Sequence, residues 1–540
     1  MRWPLPLIRV HPASEDINQR RIQTLHNSWT RRQFLGALGC ASLGLVSTGT
    51  LQGERKNKQP NVLFIALDDM NDWIGSLGGY SGKVHTPNLD RLGRQGITFT
   101  NAQSPSTVCN PSRTAILTGL RPSTTGIYNN GQWWRPALPD VVTLPENFRA
   151  NGYHVEGGGK IFHHTLGNNP PEIWDHYHPQ VQDSPWHYNY PVPGQHAPKK
   201  GVHWPEGFPL NGIENVKRGK RPPANYREFD WGPFDKPDLE MGDGRMVQWA
   251  IDFLERSHDK PFFLAAGIYH PHLPWYVPQK YFDLYPLHQI KLPEVKEDDL
   301  EDVPAAGRKM AQARRADFDL VKKAGQYPQA VRAYLASISF ADALVGHLLD
   351  ALEKSPYRDN TIVVVWSDHG WHLGEKGAWH KRMLWERATH VPFFVATPGV
   401  TQPGSVCQRP VNLIDIYPTL IDLCGLKANR TFDGISLVPL LKSPKTAWQR
   451  PSVTTLERGN HAVRSERWRY IRYNDGTEEL YDCDNDPHEW ANLSGDSTFD
   501  SIKRNLANWL PKSDAPPALS KSAYHFDPDS YSWKRKEKSQ

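Results

Sequence analysis

Cysteine is scarce in this chain, and an excess of charge of one sign is confined to its N-terminal segment. The five cysteines, at positions 40, 109, 407, 424 and 483, have neither the spacing of a zinc site nor the density of a disulfide framework. The formal net charge of +5 arises mainly in residues 1–53, which hold six arginines and two acidic residues. The rest of the chain therefore lacks the basic stripe that nucleic acid binding requires. No uninterrupted apolar run is long enough to span a membrane, so we expect no transmembrane segment in the mature protein.

The N-terminal segment has the pattern of an export signal. The hexapeptide TRRQFL at residues 30–35 precedes a stretch of small and apolar residues, Gly36–Val46, and the combination resembles a twin-arginine signal. We predict that residues 1–53 are this signal and its n-region. The prediction makes the twin-arginine export machinery a partner and places the mature protein in the periplasm or outside the cell.

Strands and helices are predicted to alternate through the middle of the chain. Four apolar runs are typical of strands buried on both faces: Asn61–Leu67, Pro261–Gly267, Thr361–Trp366 and Val391–Thr397. Helical patterns fall between or after them, at Asn88–Gln95, Arg113–Leu120, Met246–Arg256, Val331–Lys354 and Val411–Leu423. The alternation predicts an α/β sandwich with a mostly parallel central sheet and helices on both faces.

Two further segments differ in composition. Residues 165–235 are rich in Pro, His, Trp and Asn without a sustained period, which predicts a long loop over the functional site. Beyond residue 445, short strand patterns around the turn Asn474-Asp475-Gly476 predict a smaller C-terminal unit with a short antiparallel sheet. We therefore expect a main domain at 54–444, carrying the site, and a C-terminal subdomain at 445–540.

Metal-binding residue types follow two of the predicted strands. Asp68-Asp69 follows the first and Asp368-His369 the third. Either pair alone is more typical of a turn or a helix cap. Ligands of open α/β sheets bind at the carboxyl ends of the strands, however, and three carboxylates meeting there would repel each other without a cation. Oxygen donors favour calcium or magnesium over zinc.

The segment Cys109-Asn110-Pro111-Ser112-Arg113, followed by TAILTG, resembles the signature of type I sulfatases, in which the cysteine is oxidised to formylglycine. Asn110 is an unusual residue at the variable position of this signature. The resemblance implies an alkaline-phosphatase-like sandwich, hydrolysis of sulfate esters and a formylglycine-generating enzyme as a partner. At a helix N-terminus, Cys109 would also lie where backbone N–H groups favour an anion.

Further motifs resemble iduronate-2-sulfatases and their bacterial relatives, over roughly residues 60–495. They are Gly159–His163, Gly267–Pro274, Asp368–Lys381, Ala388–Pro392 and Leu480–Leu493. This resemblance implies sulfated saccharides, including glycosaminoglycans, as substrates. It implies one calcium ion, with the ligands Asp68, Asp69, Cys109, Asp368 and His369. It also implies that four side chains bind the substrate: Lys160, His272, Trp371 and Lys381.

Catalytic roles are implied by the same resemblance. The hydrated formylglycine from Cys109 would be the nucleophile toward sulfur, and Arg113 would hold it by forked hydrogen bonds. Either His272 or Lys381 would protonate the leaving alcohol, and His163 would accept the proton of the second hydroxyl.

Three alternatives remain open at this stage. A phosphonate or phosphate monoester hydrolase of the same superfamily can share the fold and the cysteine motif. A choline-sulfatase-like enzyme would act on a small cationic ester. A non-catalytic glycan-binding protein would leave Cys109 unmodified and use tryptophans as sugar platforms. In addition, Tyr269-His270 stands where iduronate-2-sulfatases have His-Lys, which leaves the sugar preference open.

Overall fold

The apolar run Asn61–Leu67 forms strand β1, and all seven of its residues are buried. The computed structural model describes residues 59–181, 189–190, 209–213, 229–428 and 430–537. The predicted export signal at 1–53 and most of the predicted loop at 165–235 lie outside the described residues. Both therefore stay predictions.

β1 lies in the interior of a sheet of eight strands, whose order is β15-β2-β14-β11-β1-β9-β4-β5. Five of the seven neighbouring pairs are parallel, whereas β14 runs antiparallel to both of its neighbours. The mostly parallel α/β sheet is confirmed, but a parallel strand at 391–397 is not, because burial of both faces does not fix a strand's direction. The other seven strands are β2 Ile97–Phe99, β4 His154–Gly159, β5 His176–His178, β9 Phe262–Gly267, β11 Thr361–Ser367, β14 Phe393–Ala396 and β15 Ser405–Cys407.

The two faces of the sheet bury separate apolar cores, as the alternation of side chains along a strand requires. Leu63, Ile65 and Leu67 of β1 belong to one core, and the intervening Val62 belongs to the other. The described residues contain thirteen α-helices: α1 Pro87–Gln95, α2 Cys109–Thr118, α3 Pro122–Thr125, α4 Trp134–Ala137, α5 Leu144–Ala150, α6 Gly242–Glu255, α7 Gln279–Asp283, α8 Ala305–Lys323, α9 Tyr327–Lys354, α10 Glu386–Thr389, α11 Ile416–Leu423, α12 Val438–Lys442 and α13 Asp500–Ala507.

Helix α9 is the main helix of the first core. By length and composition alone it is apolar enough to cross a membrane, but 78% of its apolar window is buried inside the fold. Polar residues interrupt its apolar runs, so it has no uninterrupted apolar run of membrane length. Its burial against the sheet accounts for its composition.

A second sheet, with four antiparallel strands in the order β17-β18-β19-β20, follows residue 445. Its strands are β17 Ser452–Thr455, β18 His461–Arg464, β19 Trp468–Arg472 and β20 Glu478–Asp482. The predicted short antiparallel sheet is thus confirmed, while the boundary at 444/445 stays a prediction. Five small two-stranded sheets complete the described elements: β3 Ala102–Gln103 with β16 Val411–Asn412, β6 Gln180–Val181 with β7 Asn189–Tyr190, β8 Trp231–Phe234 with β10 Trp275–Pro278, β12 His372–Leu373 with β13 Trp379–His380, and β21 Tyr524–Asp527 with β22 Ser532–Arg535.

Candidate active site

Four neighbouring strands, in the order β11-β1-β9-β4, deliver the predicted side chains to one edge of the central sheet. Asp368-His369 follows β11, Asp68-Asp69 follows β1, and Lys160 follows β4. At the end of β4, Gly159 has φ 72°. A Cβ there would lie 2.0 Å from the carbonyl oxygen of Gly267, so glycine lets β4 and β9 approach closely enough to place Lys160 at this edge.

Cys109 is the first residue of α2, four residues earlier than the predicted start of that helix. The motif's proline falls in the first turn, where its missing N–H removes no intrahelical bond. Cys109 is 1% exposed. Its Sγ lies 3.3 Å from His369 Nε2, 3.3 Å from Lys381 Nζ and 4.0 Å from Lys160 Nζ. The thiol is therefore surrounded by cationic and imidazole groups at the carboxyl edge of the sheet.

Three buried carboxylates meet beside this thiol. Asp68, Asp69 and Asp368 are all fully buried. Two triads of potential ligand atoms share the Cys109 sulfur, and the atoms within each triad lie within 4.8 Å of one another: Asp69, Cys109 and His369, and Asp68, Cys109 and Asp368. The predicted metal ligands thus converge, although they are distant in sequence.

Arg113 lies one turn after Cys109 in α2, and its guanidinium forms hydrogen bonds at the ends of three of the four strands, β11, β1 and β4. Its Nε lies 2.8 Å from Asp368 Oδ2, and its Nη2 lies 3.2 Å from Asp68 Oδ1. The guanidinium also donates to the carbonyl oxygens of Leu67, Lys160 and Ile161. Arg113 thus lies at this sheet edge, and the bonds of its guanidinium are to metal-ligand candidates and backbone carbonyls.

The lysines complete the charge pattern of the site. Lys381 Nζ donates to both carboxylate oxygens of Asp69, at 2.5 and 2.8 Å, and Lys160 Nζ donates to Asp68 Oδ2. Together with Arg113, these two lysines offset the three carboxylates. Such pairing is required for charges that are removed from water to this extent.

The left-handed backbone of Asp69, with φ 64°, is held from two directions. Its N–H donates to Asp368 Oδ1 at 3.1 Å, and its carbonyl oxygen accepts from the Tyr334 hydroxyl at 2.7 Å. Asn71 N–H in turn donates to the same hydroxyl at 3.0 Å. Tyr334 of α9 thereby fixes the turn that orients the Asp69 carboxylate. No local sequence pattern around Tyr334 predicts this role.

Burial and neighbouring charge act in opposite directions on the carboxylates. Burial raises the pKa of Asp69 to about 8 in spite of Lys381, and burial likewise raises the pKa of Asp68. For Asp368, burial is outweighed by the charges of Arg113 and His369, which hold its pKa well below the usual range. Burial thus disfavours the charged forms of Asp68 and Asp69 although three cationic side chains lie beside them. A donor set of carboxylate oxygens that needs more positive charge fits a hard divalent cation such as calcium.

Two of the predicted histidines lie beside this cluster. His272 Nε2 is 3.7 Å from Asp69 Oδ2, and its Nδ1 is 2.6 Å from the carbonyl oxygen of Leu273. His163 is 4% exposed and its Nδ1 makes no hydrogen bond with the described residues. Burial lowers the pKa of both imidazoles well below the usual value, and the nearby Lys160 lowers them further. Both shifts favour the neutral form of the imidazole ring.

Tyr269 and His270, which stand where iduronate-2-sulfatases have His-Lys, lie in two different environments. His270 is buried away from the site, with Nδ1 2.7 Å from Asp243 Oδ2, so its effect is on the fold of this loop. The Tyr269 ring, by contrast, lies 4.8 Å from Lys160 Nζ and 4.5 Å from the His272 ring. Only Tyr269 of this pair is near the predicted substrate groups.

Trp371 differs most from its predicted surroundings. It is 2% exposed and belongs to the apolar core, with Lys381 Nζ 5.2 Å from its ring centroid. The indole packs beneath Lys381, so any effect on the substrate is transmitted through that lysine.

Besides Tyr334, two polar residues at the site were not predicted from the sequence. Ser112 Oγ donates to the Asp368 carbonyl oxygen at 2.6 Å, which ties the start of α2 to the end of β11; its place inside the cysteine motif was the available signal. The ring of His164 lies 4.6 Å from His163 and 6.2 Å from His272. Its only sequence signal was adjacency to His163.

Comparison with known proteins agrees with this geometry. Residues 60–426 match the family model described as Sulfatase, and residues 374–515 match the one described as N-sulphoglucosamine sulphohydrolase, C-terminal. A sulfatase of Formosa agariphila is 40% identical over 505 residues, which cover 92% of this chain and 95% of its own. Iduronate 2-sulfatase of Homo sapiens is 32% identical over 429 residues, 72% of each chain.

A solved structure extends the likeness in fold. Phosphonate monoester hydrolase of Silicibacter pomeroyi superposes with a TM-score of 0.65 at 22% identity, over 84% of this chain and 94% of that chain. At this identity the likeness concerns the fold alone.

Proposed function

Because the chain belongs to the sulfatase family and is accordingly a sulfuric ester hydrolase, we propose that it hydrolyses sulfate esters of saccharides, using a formylglycine made from Cys109 and one calcium ion. The observation that carries the proposal is the convergence of the Cys109 sulfur with three buried carboxylates and three cations at one sheet edge. A protein that only binds glycans has no need of this arrangement around a thiol.

The nucleophile is supported by the position of Cys109. Lys381 and His369 each lie 3.3 Å from its sulfur, so a group attached here faces the cations that an anionic ester would approach. Formylglycine would supply, as its hydrate, an oxygen nucleophile where cysteine has sulfur. The carbonyl and carboxylate bonds of Arg113 fix the first turn of α2 and therefore the position of residue 109.

Calcium is supported by the donor set. Asp68, Asp69 and Asp368 offer carboxylate oxygens, and His369 and residue 109 lie within the same clusters. The ion would polarise the sulfate and offset the charge that develops on its oxygens. With the carboxylates neutralised in this way, Lys160 and Lys381 would be released to bind the sulfate group, because their present partners are the proposed metal ligands.

Proton transfer is assigned from two imidazole geometries. The Nδ1–H of His272 is directed to the Leu273 carbonyl, which leaves Nε2 facing the site. This Nε2 would first take up a proton, which the negative charge of a bound sulfate ester favours, and the resulting imidazolium would give that proton to the leaving alcohol. The Nδ1 of His163, which has no hydrogen-bond partner among the described residues, would take up the proton released when the sulfate leaves. Lys381 remains the alternative acid; because Asp69 and the thiol raise its pKa despite burial, it is better suited to holding positive charge.

Saccharide substrates are supported by the relative that acts on iduronate, whose identity of 32% extends over 72% of both chains. Phosphonate monoester hydrolysis is a second candidate, since an enzyme of that name shares the fold. A choline-sulfatase-like activity is a third, and it would require an anionic or aromatic cage for the cationic end of the ester. Rates on the corresponding esters discriminate the three.

The partners and the location of the protein belong to the same proposal. A formylglycine-generating enzyme would oxidise Cys109, and the twin-arginine machinery would export the protein through the signal at residues 1–53. The mature enzyme would then act in the periplasm or outside the cell, where large sulfated saccharides are encountered.

Mass spectrometry of the peptide that contains residue 109, combined with an ester panel, tests the proposal. We expect an aldehyde mass at this residue and hydrolysis of 4-nitrophenyl sulfate well above that of 4-nitrophenyl phosphonate and choline sulfate. Cys109→Ala should abolish turnover, whereas Cys407→Ala, at another buried cysteine, should keep it. An unmodified thiol in a fully active preparation would refute the formylglycine assignment.

A further inference from the structure

The C-terminal segment at residues 515–521, which begins where the second matched family region ends, is bound to the part of the chain that follows α2. The matches end at residues 426 and 515, yet residues 515–521 lie along residues 123–132. Three backbone N–H groups of this segment donate to that loop at 2.7–2.8 Å: Ala515 to Ser123, Ala518 to Gly126 and Lys521 to Gly131. The segment is therefore a fixed part of the fold close to the cysteine motif.

Two further contacts secure this segment. The hairpin of β21 and β22 packs on Trp133, with ring centroids 5.2 Å from Phe526 and 6.5 Å from Trp533. Asn110, the unusual residue of the motif, donates from Nδ2 to the carbonyl oxygen of Gln132 at 2.8 Å. Gln132 in turn donates from Nε2 to the carbonyl oxygen of Ala518 at 2.7 Å. Asn110, which directly follows Cys109, is thus connected through Gln132 to the C-terminal segment.

This anchoring places the side chain of Lys521 at the histidine side of the active site. Its Nζ donates to Thr165 Oγ1 at 2.6 Å, two residues beyond His163. The ammonium also lies 5.7 Å from the centroid of the Trp133 ring. Lys521 therefore lies beside the loop that carries His163, one of the proposed catalytic side chains.

Lys521 differs from the other cations near these histidines in having no acidic partner. Arg113, Lys160 and Lys381 each form an ion pair with an aspartate, whereas no carboxylate of the described residues pairs with Lys521. Burial lowers its pKa to about 8. A partly buried cation without a counter-charge is destabilising for the free protein, and an anionic ligand would remove that cost.

We propose that Lys521 binds a second anionic group of the substrate, a carboxylate or a further sulfate carried next to the reacting sulfate ester. The reacting sulfate would be bound by Lys160 and Lys381 beside Cys109. Lys521 is held by Thr165, on the far side of His163 in the chain, and is therefore available to a different anionic group. This inference rests on the proposed saccharide sulfatase function and narrows the substrate class to saccharides with at least two anionic groups.

The test compares Lys521→Met with Lys534→Met, a matched loss of one lysine on the exposed part of strand β22. On a 2-O-sulfated uronate disaccharide from heparin, Lys521→Met should lower kcat/KM about tenfold to a hundredfold, the size of a lost charge-assisted hydrogen bond, with most of the change in KM. On 4-nitrophenyl sulfate, which has no second anion, both variants should match the parent enzyme within about twofold. Lys521→Arg should restore most of the loss.

Two outcomes would overturn the inference: an equal loss on both substrates, which would show a general structural role, or no loss on either. A carboxyl-reduced disaccharide then separates the two sources of the anion. If the effect of Lys521→Met disappears on it, the carboxylate is the bound group; if the effect persists, a second sulfate is.

A binding measurement keeps this inference separable from the proposed function. Calorimetry with the same disaccharide compares Cys109→Ala with the double variant Cys109→Ala/Lys521→Met, so no turnover is needed. Weaker binding by the double variant supports the anion site even if the parent enzyme proves inactive on sulfate esters. Equal affinities would refute the assignment of Lys521.

Discussion

Replacing Arg113 by methionine tests whether the active site is also a main determinant of stability. Arg113, Asp68 and Asp368 have side chains that are 0% exposed, so the substitution leaves two buried carboxylates without their arginine. Methionine fills a similar volume, which limits the effect of a cavity. The three backbone carbonyls bound by the guanidinium would also lose their donors.

The size of the expected loss of stability follows from the burial of these side chains. Removing one partner of a buried ion pair costs about 3–5 kcal/mol, because the remaining charge is left uncompensated. The folded unit Asn57–Gln540 has about 480 residues, for which the entropy of unfolding is on the order of 1 kcal/mol/K. We therefore expect Arg113→Met to lower Tm by about 3–5 °C and to abolish sulfatase activity through displacement of the start of α2.

The assay is calorimetry of the parent and variant proteins in the presence of a chelator, so that a bound cation cannot substitute for the lost charge. Arg409→Met is the matched control, because the Arg409 and Glu466 side chains are 27% and 51% exposed. An exposed pair of this kind contributes at most about 1 kcal/mol, and Tm should change by about 1 °C or less. If Arg113→Met were as stable as this control, the structural importance assigned to the buried pairs would be wrong.

Further predictions concern the metal, the nucleophile and the pH dependence of stability. Asp68→Asn or Asp368→Asn should lower kcat/KM by about 10²-fold; chelation should reproduce the loss and calcium should reverse it, whereas full activity of metal-free protein would contradict the calcium site. Cys109→Ser should retain little or no turnover, since serine does not present the aldehyde hydrate, and a near-parental kcat would contradict this. For Asp72, burial raises the pKa, but the charge of Arg387 outweighs burial and holds the pKa at about 2. This is below the unfolded value of about 3.9. Its stabilisation of roughly 2 kcal/mol is therefore present above pH ~4 and lost as the pH falls toward 2. Asp72→Asn should flatten the free energy of unfolding over this interval in denaturant titrations, and an unchanged slope would exclude Asp72 as the cause.

The residues that sequence reasoning located best lie at strand ends. β1 has the predicted bounds Asn61–Leu67, because a run buried on both faces ends where Asp68 and Asp69 begin. Since parallel strands present their carboxyl ends to the same edge, Asp368 could be expected beside Asp68 without knowledge of the intervening 300 residues. Local pattern and fold rules point to the same residues here.

Sequence patterns failed where tertiary contacts determine the structure. The charged helix α8, Ala305–Lys323, was missed because only a minority of its residues are buried, which weakens the apolar period. The direction of β14 and the burial of Trp371 depend on neighbours that no local pattern specifies. Lys521 had no signal at all, because its position depends on bonds between residues 515–521 and 123–132.

The burial of Cys109 constrains the order in which the enzyme is made. Cys109 is 1% exposed and is held in the first turn of α2, whose residues are all buried, so a modifying enzyme could reach an extended Cys109 segment only before the chain folds. Twin-arginine systems carry folded proteins, and the signal proposed at residues 1–53 therefore places oxidation before export. Arg31→Lys combined with Arg32→Lys should trap precursor in the cytoplasm that already carries the aldehyde at residue 109 and is active on 4-nitrophenyl sulfate. Peptide mass spectrometry of that precursor decides the order: an unmodified thiol there, with aldehyde only in exported protein, would show that oxidation follows export and that the Cys109 segment opens after folding.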